Sequence, residues 1–271
     1  MIDGGHYPPD IIEVSSRDNP TLKLARSLHR RRLRQRERAT LVEGDRAVTA
    51  AIASGVSIRA CLLRGSTAAA TMELEGMQAL PHHVRRYLVE DAHFAEVATT
   101  ETPQGVILIV DIPESETPAS PRFVLVADGV REPGNLGSMI RTAAAAGVDV
   151  VALLSGTVDA WHPEAVRGSA GTAFSVPVVA VPSLATVVGW FDTEAPHAVV
   201  LADAHGDNVF DVGAWPSQLA LVMGSEAHGV RDDVRTDATH LVSIPMQRGV
   251  ESLNVGAATA VLVYVMQSRQ E

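Results

Sequence analysis

Polar residues that could take part in chemistry follow a short apolar run near the middle of the chain. Residues 130–149 read "VREPGNLGSMIRTAAAAGVD", directly after "FVLVAD". A strand, a glycine-bearing turn and a helix start can together bind an anion through backbone N–H groups. The spacing is not G-x-G-x-x-G, however, and no G-x-x-x-x-G-K-[ST] occurs, which disfavours a nucleotide-phosphate site. The segment therefore predicts either a site carried by Asn135 and Arg141, or a turn shaped by Gly134 and Asn135 beside a solvated Arg141.

Two further polar clusters follow apolar runs later in the chain. These clusters read "MGSEAHG", after "QLALV", and "IPMQRGVESLN", after "THLVS". The strands in this half are nearly all apolar and alternate with helices, a pattern typical of a parallel sheet covered on both faces. Ligands of such sheets bind beyond the carboxyl ends of the strands. We therefore expect the three polar clusters to meet at one rim.

The basic residues of the chain are concentrated in one segment. Residues 17–38 contain nine arginines and lysines against two acidic residues, a local charge of +7 in a chain whose net charge is −10. The remainder carries −17, so the asymmetry indicates a localised contact with a polyanion. After Asn19 and Pro20 we predict one amphipathic helix with a basic wet side. The residues predicted to contact this polyanion are Lys23, Arg26, Arg30, Arg31, Arg32 and Arg34.

Composition excludes several classes of protein. The chain has 271 residues, 46% of them hydrophobic, and no apolar stretch long enough to span a membrane. Its first residues, "MIDGGHYPPD", lack the pattern of a signal peptide. Cys61 is the only cysteine, and the ten histidines lack metal-site spacing. We therefore expect a cytoplasmic protein with no internal disulfide, no metal and no membrane contact.

The alternation of strands and helices predicts two α/β units. The first covers residues 13–111 and the second covers residues 123–271, with a proline-rich linker over residues 112–122. The last helix is expected over about residues 253–267, where Ser252 is a good N-cap. The predicted fold class is thus α/β, with a small N-terminal α/β domain and a C-terminal domain built on a parallel sheet.

The three polar clusters, in this order, resemble the signature motifs of the SpoU (TrmH-like) family of RNA ribose 2′-O-methyltransferases. "RGSAGTAFSVPVV" is similar to the intermediate segment of the family, and "SRDNPTLKLARSLHRRRLRQRERATLVEG" to the substrate-binding domain of rRNA-directed members. The similarities cover nearly the whole chain after about Glu13. The resemblance implies S-adenosylmethionine as cofactor, a homodimer, and a trefoil knot in the catalytic domain.

The resemblance also implies roles for individual residues. Gly224, Ile244 and Leu253 are expected to hold the cofactor, with Met223 and Met246 beside them, although each could instead end a strand or pack in the core. Arg141 is expected to act on the ribose hydroxyl; because arginine stays protonated, we assign it to phosphate binding and stabilisation of the alkoxide. The remaining expected active-site residues are Asn135, Glu226, Ser252 and Asn254.

The separate N-terminal unit and its basic segment favour ribosomal RNA of the large subunit (23S) as the substrate. A tRNA 2′-O-methyltransferase and an antibiotic-resistance rRNA methyltransferase remain alternatives. A nucleotide-dependent oxidoreductase, with Asp149 or Asp159 as its acidic residue, lacks the glycine fingerprint. A non-catalytic RNA-binding protein is disfavoured because all five expected active-site residues are present.

Overall fold

The computed structural model describes residues 11–226 and 229–270, and the chain forms two compact units. The first unit contains the chain up to Glu114 together with Trp161–Phe174, and the second contains Ser115–Ala160 and Ser175–Glu271. No regular element lies within the expected linker, residues 112–122. The domain limits drawn from the sequence stay a prediction, and that prediction did not foresee the return of residues 161–174 to the first unit.

The N-terminal unit is built on a mixed five-stranded sheet in the order β1-β4-β3-β5-β2. β5 pairs antiparallel with both β2 and β3, whereas β4 runs parallel to β1 and β3. Alternate residues of β5 enter the two cores on opposite faces, as strand geometry requires. The strands are β1 (Ile11–Val14), β2 (Ala39–Glu43), β3 (Ile58–Arg64), β4 (Arg86–Val89) and β5 (Val106–Asp111).

Residues 11–114 contribute six helices to this unit. The first begins as expected, because Asn19 caps it by accepting from the N–H groups of Thr21 and Leu22, with Pro20 at its first position. The prediction of a single helix through the basic segment is wrong, since the chain turns at residues 28–30 and starts a second helix. The helices are α1 (Pro20–Ser27), α2 (Arg31–Glu37), α3 (Asp45–Ala53), α4 (Ala68–Met72), α5 (Glu75–Gln78) and α6 (Asp91–Ala95).

The C-terminal unit confirms the predicted parallel sheet. All six strands run parallel in the order β11-β9-β10-β6-β7-β8, and every residue of β6, β7 and β10 is buried. Such complete burial is expected when both faces of a sheet are covered. The strands are β6 (Phe123–Ala127), β7 (Val150–Leu153), β8 (Val178–Ala180), β9 (His197–Asn208), β10 (Gln218–Met223) and β11 (His240–Ser243).

The helices of the second half are α7 (Pro133–Ala146), α8 (Pro163–Gly168), α9 (Leu184–Val188), α10 (Asp232–Arg235) and α11 (Val255–Gln267). α7 starts at Pro133, so Gly134 and Asn135 lie in its first turn and not in a turn before it. α11 starts two residues later than expected, and its N-cap is Asn254, not Ser252.

α8 lies within residues 161–174 and belongs to the N-terminal unit. Val166 is fully buried in the core that α3 contributes to, and Trp161 and Phe174 pack against that core. The Thr40 hydroxyl donates to the carbonyl of Trp161 at 2.6 Å. A side chain at Gly171 would collide with Ala47 and Ala50, so glycine allows the segment to pack tightly on α3. Residues 161–174 are therefore a structural part of the first unit.

One strand of the parallel sheet is interrupted. The pairing of β11 with β9 jumps from Leu241 opposite Leu201 to Val242 opposite Asp207. Residues 202–206 therefore leave the ladder as a bulge. Gly206 closes this bulge, because a Cβ there would lie 2.4 Å from the backbone nitrogen of Val242.

Candidate active site

Three polar side chains from the three predicted clusters meet in the C-terminal unit. The side-chain amide of Asn254 donates to Asn135 Oδ1 at 2.9 Å, and Asn135 Nδ2 donates to Glu226 Oε1 at 2.5 Å. Asn135 lies on α7, Glu226 in the loop after β10, and Asn254 at the start of α11. Segments that are up to 119 residues apart in sequence are thus joined by two side-chain bonds. We call these three residues the polar triad.

The amide orientations in the triad follow from helix capping. Asn254 Oδ1 accepts from the N–H of Gly256 at 2.9 Å, one of the N–H groups that a helix start leaves without a partner. The Nδ2 of Asn254 must then face Asn135, whose oxygen accepts from it. This leaves the Asn135 amide nitrogen to donate to the Glu226 carboxylate. The cap of α11 therefore sets the direction of the whole chain of hydrogen bonds.

Close packing of two helices brings the triad together. α7 and α11 contact each other along much of their length. At the start of α11, a Cβ on Gly256 would lie 2.8 Å from Ser138 Oγ. Glycine at this position therefore lets α11 approach α7 closely enough for Asn254 to reach Asn135.

The loop that carries Glu226 is held against the carboxyl end of β6. The fully buried carboxylate of Asp128, one residue after β6, accepts from Arg231 Nε at 2.7 Å and from the Arg231 backbone N–H at 2.8 Å. Ser225 and Gly229 exchange two backbone hydrogen bonds of 2.9 Å across the loop. These bonds fix both sides of the loop relative to the strand that leads to α7.

α10 is anchored at its other end to the bulge of β9. Arg235 makes an ion pair with Asp203, whose side chain is 9% exposed. The His205 backbone N–H, which donates to Asp203 at 2.8 Å, lowers the pKa of this carboxyl, as do the bonds from Arg235; burial opposes them. The two arginines that flank α10 thus tie it to β6 and to β9.

A cavity of about 320 Å³ lies between the β9 bulge and the segment after β11. Its volume falls in the range of small-molecule sites. Its walls are mostly apolar, with backbone from the segment after β11, and the charged side chains among its lining residues are both acidic. The lining includes Asp203, Ile244, Met246, Glu251, Ser252 and Leu253.

The residues predicted to hold the cofactor fall into two groups. Ile244, Met246 and Leu253 line the cavity, and Leu253 is 40% exposed. Met223 ends β10 within the core. Gly224 faces the chain at residues 229–230, because a Cβ on it would lie 2.1 Å from the carbonyl carbon of Gly229. The steric demand of the loop thus explains glycine at this position without any ligand.

The other predicted active-site residues lie apart from the triad. Arg141 is six residues beyond Asn135 on α7, which turns its side chain about 120° away. It is exposed, and no hydrogen bond or ion pair joins it to the part of the chain that the structure describes. Ser252 is exposed at the cavity wall. Asp149 accepts from the N–H groups of Arg122 and Phe123 at the amino end of β6, so it lies at the opposite end of the sheet from the rim.

One residue of the predicted RNA-binding set was placed wrongly. Arg34 is not on a solvated helix face; it is 2% exposed and donates to the carbonyls of Leu28 and His29. Lys23 and Arg26 are on the surface in ion pairs with Asp18 and Glu96. The exposed members are Lys23, Arg30, Arg31 and Arg32.

Sequence reasoning missed Asp128, Arg231, Asp203 and Arg235. A signal for the two acidic residues was present, because Asp128 follows the run "FVLVA" and Asp203 follows "AVVLA". An acidic residue directly after an apolar strand lies at the rim where ligands bind. Their arginine partners, 103 and 32 residues further on, carried no comparable signal.

Neither a metal site nor a membrane span is found in the described ranges. No group of three or more His, Cys, Asp or Glu side chains there could hold a metal ion. None of the helices there has the length and apolarity needed to cross a bilayer.

Comparison with known families identifies both halves of the chain. The model of the SpoU rRNA Methylase family matches residues 122–264. The chain belongs to the SpoU rRNA methylase family. The MRM3-like substrate binding domain matches residues 19–108, within the N-terminal unit of this SpoU protein.

Named relatives of this SpoU protein include two enzymes that act on 23S rRNA. The chain is 34% identical over 253 residues to the 23S rRNA (guanosine(2553)-2′-O)-methyltransferase RlmP of Bacillus subtilis, covering 93% of this chain and 98% of the relative. It is 30% identical over 275 residues to the 23S rRNA (uridine(2479)-2′-O)-methyltransferase of Streptomyces viridochromogenes, covering 98% and 95%.

Solved structures agree with the fold of both units. The SpoU methyltransferase AviRb from Streptomyces viridochromogenes, in complex with the cofactor AdoMet, matches with a TM-score of 0.79 at 30% identity, covering 92% of this chain and 97% of that chain. An AdoMet-bound rRNA methyltransferase from Sinorhizobium meliloti matches with a TM-score of 0.80 at 24% identity, covering 96% and 98%. The latter supports the fold alone.

Proposed function

We propose that this SpoU protein transfers the methyl group of S-adenosylmethionine to a ribose 2′-OH of 23S rRNA. The observation that carries the proposal is the polar triad, in which Asn135, Glu226 and Asn254 join the three family motifs at one rim. Next to one of these motifs lies a cavity of the size of a small-molecule site. The two features supply what a methyl transfer needs, a substrate-facing polar group and a cofactor site.

The cavity suits S-adenosylmethionine. Ile244, Met246 and Leu253 offer apolar surface for an adenine ring, and backbone groups of the same segment can bind its edge. Asp203 and Glu251 complement a ligand that carries a net positive charge. Gly224 and Met223, the other expected cofactor residues, are not among the residues that line this cavity, and their role stays a prediction.

The chemistry asks the protein mainly for placement. When bound, S-adenosylmethionine supplies a methyl group that is already activated by its sulfonium. Asn135, held from both sides by Asn254 and Glu226, orients the ribose hydroxyl. Arg141, exposed and protonated, binds the adjoining phosphate and stabilises the developing alkoxide, while the hydroxyl proton passes to phosphate or water. Ser252, exposed at the cavity wall, offers a hydroxyl that can bond the pocket segments when the ligands are bound.

A large-subunit rRNA substrate is supported by the relatives and by the N-terminal unit. Both named relatives act on 23S rRNA, and this chain, with its matched substrate-binding domain, aligns with them over 98% and 95% of their lengths. The two relatives act on different nucleotides, and their sequence identities to this chain, 34% and 30%, are similar. The proposal therefore names 23S rRNA as the substrate and no particular nucleotide. We also propose that the reaction takes place in the cytoplasm, since the proposed substrate is ribosomal RNA.

We further propose that the protein is a homodimer. The face of α11 that does not pack on the sheet carries a stripe of Ala257, Val261 and Tyr264, and Tyr264 is 53% exposed. Residues spaced by four and three positions lie on one side of a helix. An apolar stripe of this kind suits an isologous contact between two copies. Light scattering that gave a monomer at micromolar concentration would refute the dimer.

Calorimetry and a methylation assay test the proposed reaction together. S-adenosylmethionine should bind, and labelled methyl should enter 23S rRNA. Arg141→Ala should abolish transfer and spare cofactor affinity, because Arg141 lies outside the cavity; Arg141→Lys, which keeps the charge, is the matched control and should retain part of the activity. Absence of cofactor binding at millimolar ligand would refute the proposal.

A further inference from the structure

Six of the nine basic residues in segment 17–38 already have partners. Five are paired on the surface with carboxylates: Arg17 and Arg26 with Glu96, Lys23 with Asp18, Arg36 with Glu37, and Arg38 with Glu114. The sixth, Arg34, is buried. Most of the local positive charge is therefore neutralised or committed within the N-terminal unit.

Arg34 holds the corner between α1 and α2. Its Nη1 donates to the carbonyl of Leu28 at 2.8 Å and to that of His29 at 3.0 Å. Carbonyls at the end of a helix have no partner within that helix, so a buried guanidinium there satisfies them. His29 is also fixed, because its Nε2 lies 2.9 Å from the carbonyl oxygen of Val97. The chain at residues 28–30 is thereby held in one conformation.

The corner presents Arg30, Arg31 and Arg32, which we call the arginine triplet. All three are exposed, and none of their side chains forms a hydrogen bond or ion pair with the residues described by the structure. They lie at the N-cap and in the first turn of α2, and that first turn contains no acidic residue. Positive charges at a helix start oppose the helix dipole and repel one another. Their position costs stability, which indicates a role other than folding.

We propose that the arginine triplet is the phosphate-contacting site of the N-terminal unit, and that Arg34 is a positioning residue that holds the triplet at a rigid corner. The ligand is the sugar-phosphate backbone of RNA, since three neighbouring unpaired guanidinium groups match a run of phosphates. The proposal rests on the proposed function, which makes RNA the substrate. The nine basic residues of segment 17–38 thus have three roles: the arginine triplet contacts phosphate, five residues form ion pairs within the unit, and Arg34 supports the corner.

The number of contacts predicts a measurable salt dependence. Each phosphate neutralised contributes about 0.7–0.9 to the slope of log K against log salt concentration. Three contacts should therefore account for about 2–3 units of that slope. Arginines already paired with carboxylates release few counterions on binding, so removing them should change the slope little.

The test is filter binding of labelled 23S rRNA to the full-length protein over a series of KCl concentrations. The triple variant R30A/R31A/R32A should weaken binding and lower the slope by about 2–3 units. The matched control R17A/R36A/R38A removes the same formal charge from paired positions and should leave the slope nearly unchanged. Equal loss of slope in the two variants, or an unchanged slope in the first, would overturn the proposal.

Arg34 is tested by a different pattern. Arg34→Lys should lower the affinity several-fold at every salt concentration and leave the slope intact, because the triplet keeps its charges while the corner loses its bidentate support. Wild-type affinity in Arg34→Lys would overturn the positioning role of Arg34.

A measurement on the wild-type protein tests the role of Arg34 without requiring that the Arg34→Lys variant folds. Phenylglyoxal labelling followed by mass spectrometry should modify the triplet in the free protein and spare it in the RNA complex, with Arg34 unmodified in both. Labelling of Arg34, or a triplet labelled equally with and without RNA, would contradict the assignment.

Failure of this inference can be told from failure of the proposed function. S-adenosylmethionine affinity, measured by calorimetry, should be the same in all these variants and the wild type. Wild-type protein that binds neither cofactor nor RNA would refute the function. Wild-type protein that binds both, with an unchanged slope in the triplet variant, would refute only the inference.

Discussion

At the residue scale, the polar triad depends on the orientation of the Asn135 side-chain amide, which decides which atom donates and which accepts. Its Nδ2 donates to Glu226 and its Oδ1 accepts from Asn254, so neither an acid nor an apolar residue can make both bonds. Asn135 is thus specified by two partners from two other motifs. The interaction that matters is a matched donor and acceptor on each side.

This geometry predicts a rescue by a second substitution. Asn135→Asp keeps the acceptor for Asn254 but sets two carboxylates against each other, so methyl transfer should fall about 100-fold through misplacement of the substrate side. Adding Glu226→Gln restores a donor and an acceptor, and should recover part of the loss. Initial rates with 23S rRNA measure both variants, with cofactor affinity as the control. A double variant that is no faster than N135D would mean that the bond does not position the substrate.

The sequence predicts the three residues of the polar triad, but it does not predict the ion pairs that hold the neighbouring loop and α10 in place. Asn135, Glu226 and Asn254 stand in motifs that can be matched along the chain, whereas the partners of Asp128 and Asp203 are fixed only by the fold. Arg34 was misplaced for a related reason. A helical projection assumes an unbroken helix, and the turn at residues 28–30 rotates everything after it.

At the scale of elements, the loop between β10 and α10 depends on close backbone approach. Gly224→Ala would place a methyl group against the chain at residues 229–230, where backbone cannot give way as a side chain can. We expect a loss of about 1–3 kcal/mol in the free energy of unfolding, with reduced methyl transfer. Gly134→Ala is the matched control, because nothing lies within 4 Å of its Cβ position, and it should change stability by less than about 0.5 kcal/mol. Urea unfolding of the two variants decides between this steric account and a purely ligand-binding role for Gly224.

The anchoring of α10 to β9 predicts an acid-sensitive element. The pKa of Asp203 is lowered from its ordinary value of 3.8 by the His205 N–H and by Arg235, so its ion pair stabilises the fold above that value and is lost as pH falls through the lowered pKa. The stability gap between wild type and Asp203→Asn should therefore be constant near neutral pH and shrink in acid below 3.8. Urea unfolding over a pH series measures the gap, and Asp237→Asn, an exposed carboxylate nearby, controls for loss of one charge. A gap that widened in acid would contradict the assignment.

The sequence predicts the helices and strands better than the irregularities between and within them. The parallel sheet, α7 and α11 follow from apolar runs and helical spacing, and the structure confirms the sheet. The bulge at residues 202–206 could not be predicted, because it reflects the pairing of β9 with β11, a strand that follows only after β10 and α10. The cavity depends on that bulge, so its shape was beyond sequence reasoning, although four of its lining residues were predicted site residues: Ile244, Met246, Ser252 and Leu253.

At the scale of the whole molecule, the chain order and the compact units do not coincide. Residues 161–174 lie within the sequence matched by the SpoU model, yet they complete the core of the N-terminal unit. Cutting the chain at the expected linker would therefore remove Val166 from that core. Burial of this side chain alone is worth about 1.5–3 kcal/mol.

This arrangement predicts that the N-terminal unit needs the later segment. A fragment of residues 11–114 should be less stable than the same fragment joined through a flexible linker to residues 161–174, by about 5 °C or more in Tm. The same fusion carrying Val166→Asn is the control and should lose most of the gain. Thermal unfolding by circular dichroism measures all three, and equal Tm values for fragment and fusion would mean that the segment does not stabilise the unit.

Methylation of a 23S rRNA ribose by this protein can be measured in vitro on RNA that lacks the modification. Total RNA from cells that lack the gene is incubated with the purified protein and labelled S-adenosylmethionine, and ribose methylation is mapped across 23S rRNA, 16S rRNA and tRNA, with the Arg141→Ala variant as the control. The account predicts a new 2′-O-methyl group at a position in 23S rRNA with the wild type and none with the variant. Methyl transfer to tRNA or to a base, with 23S rRNA riboses unchanged, would contradict it.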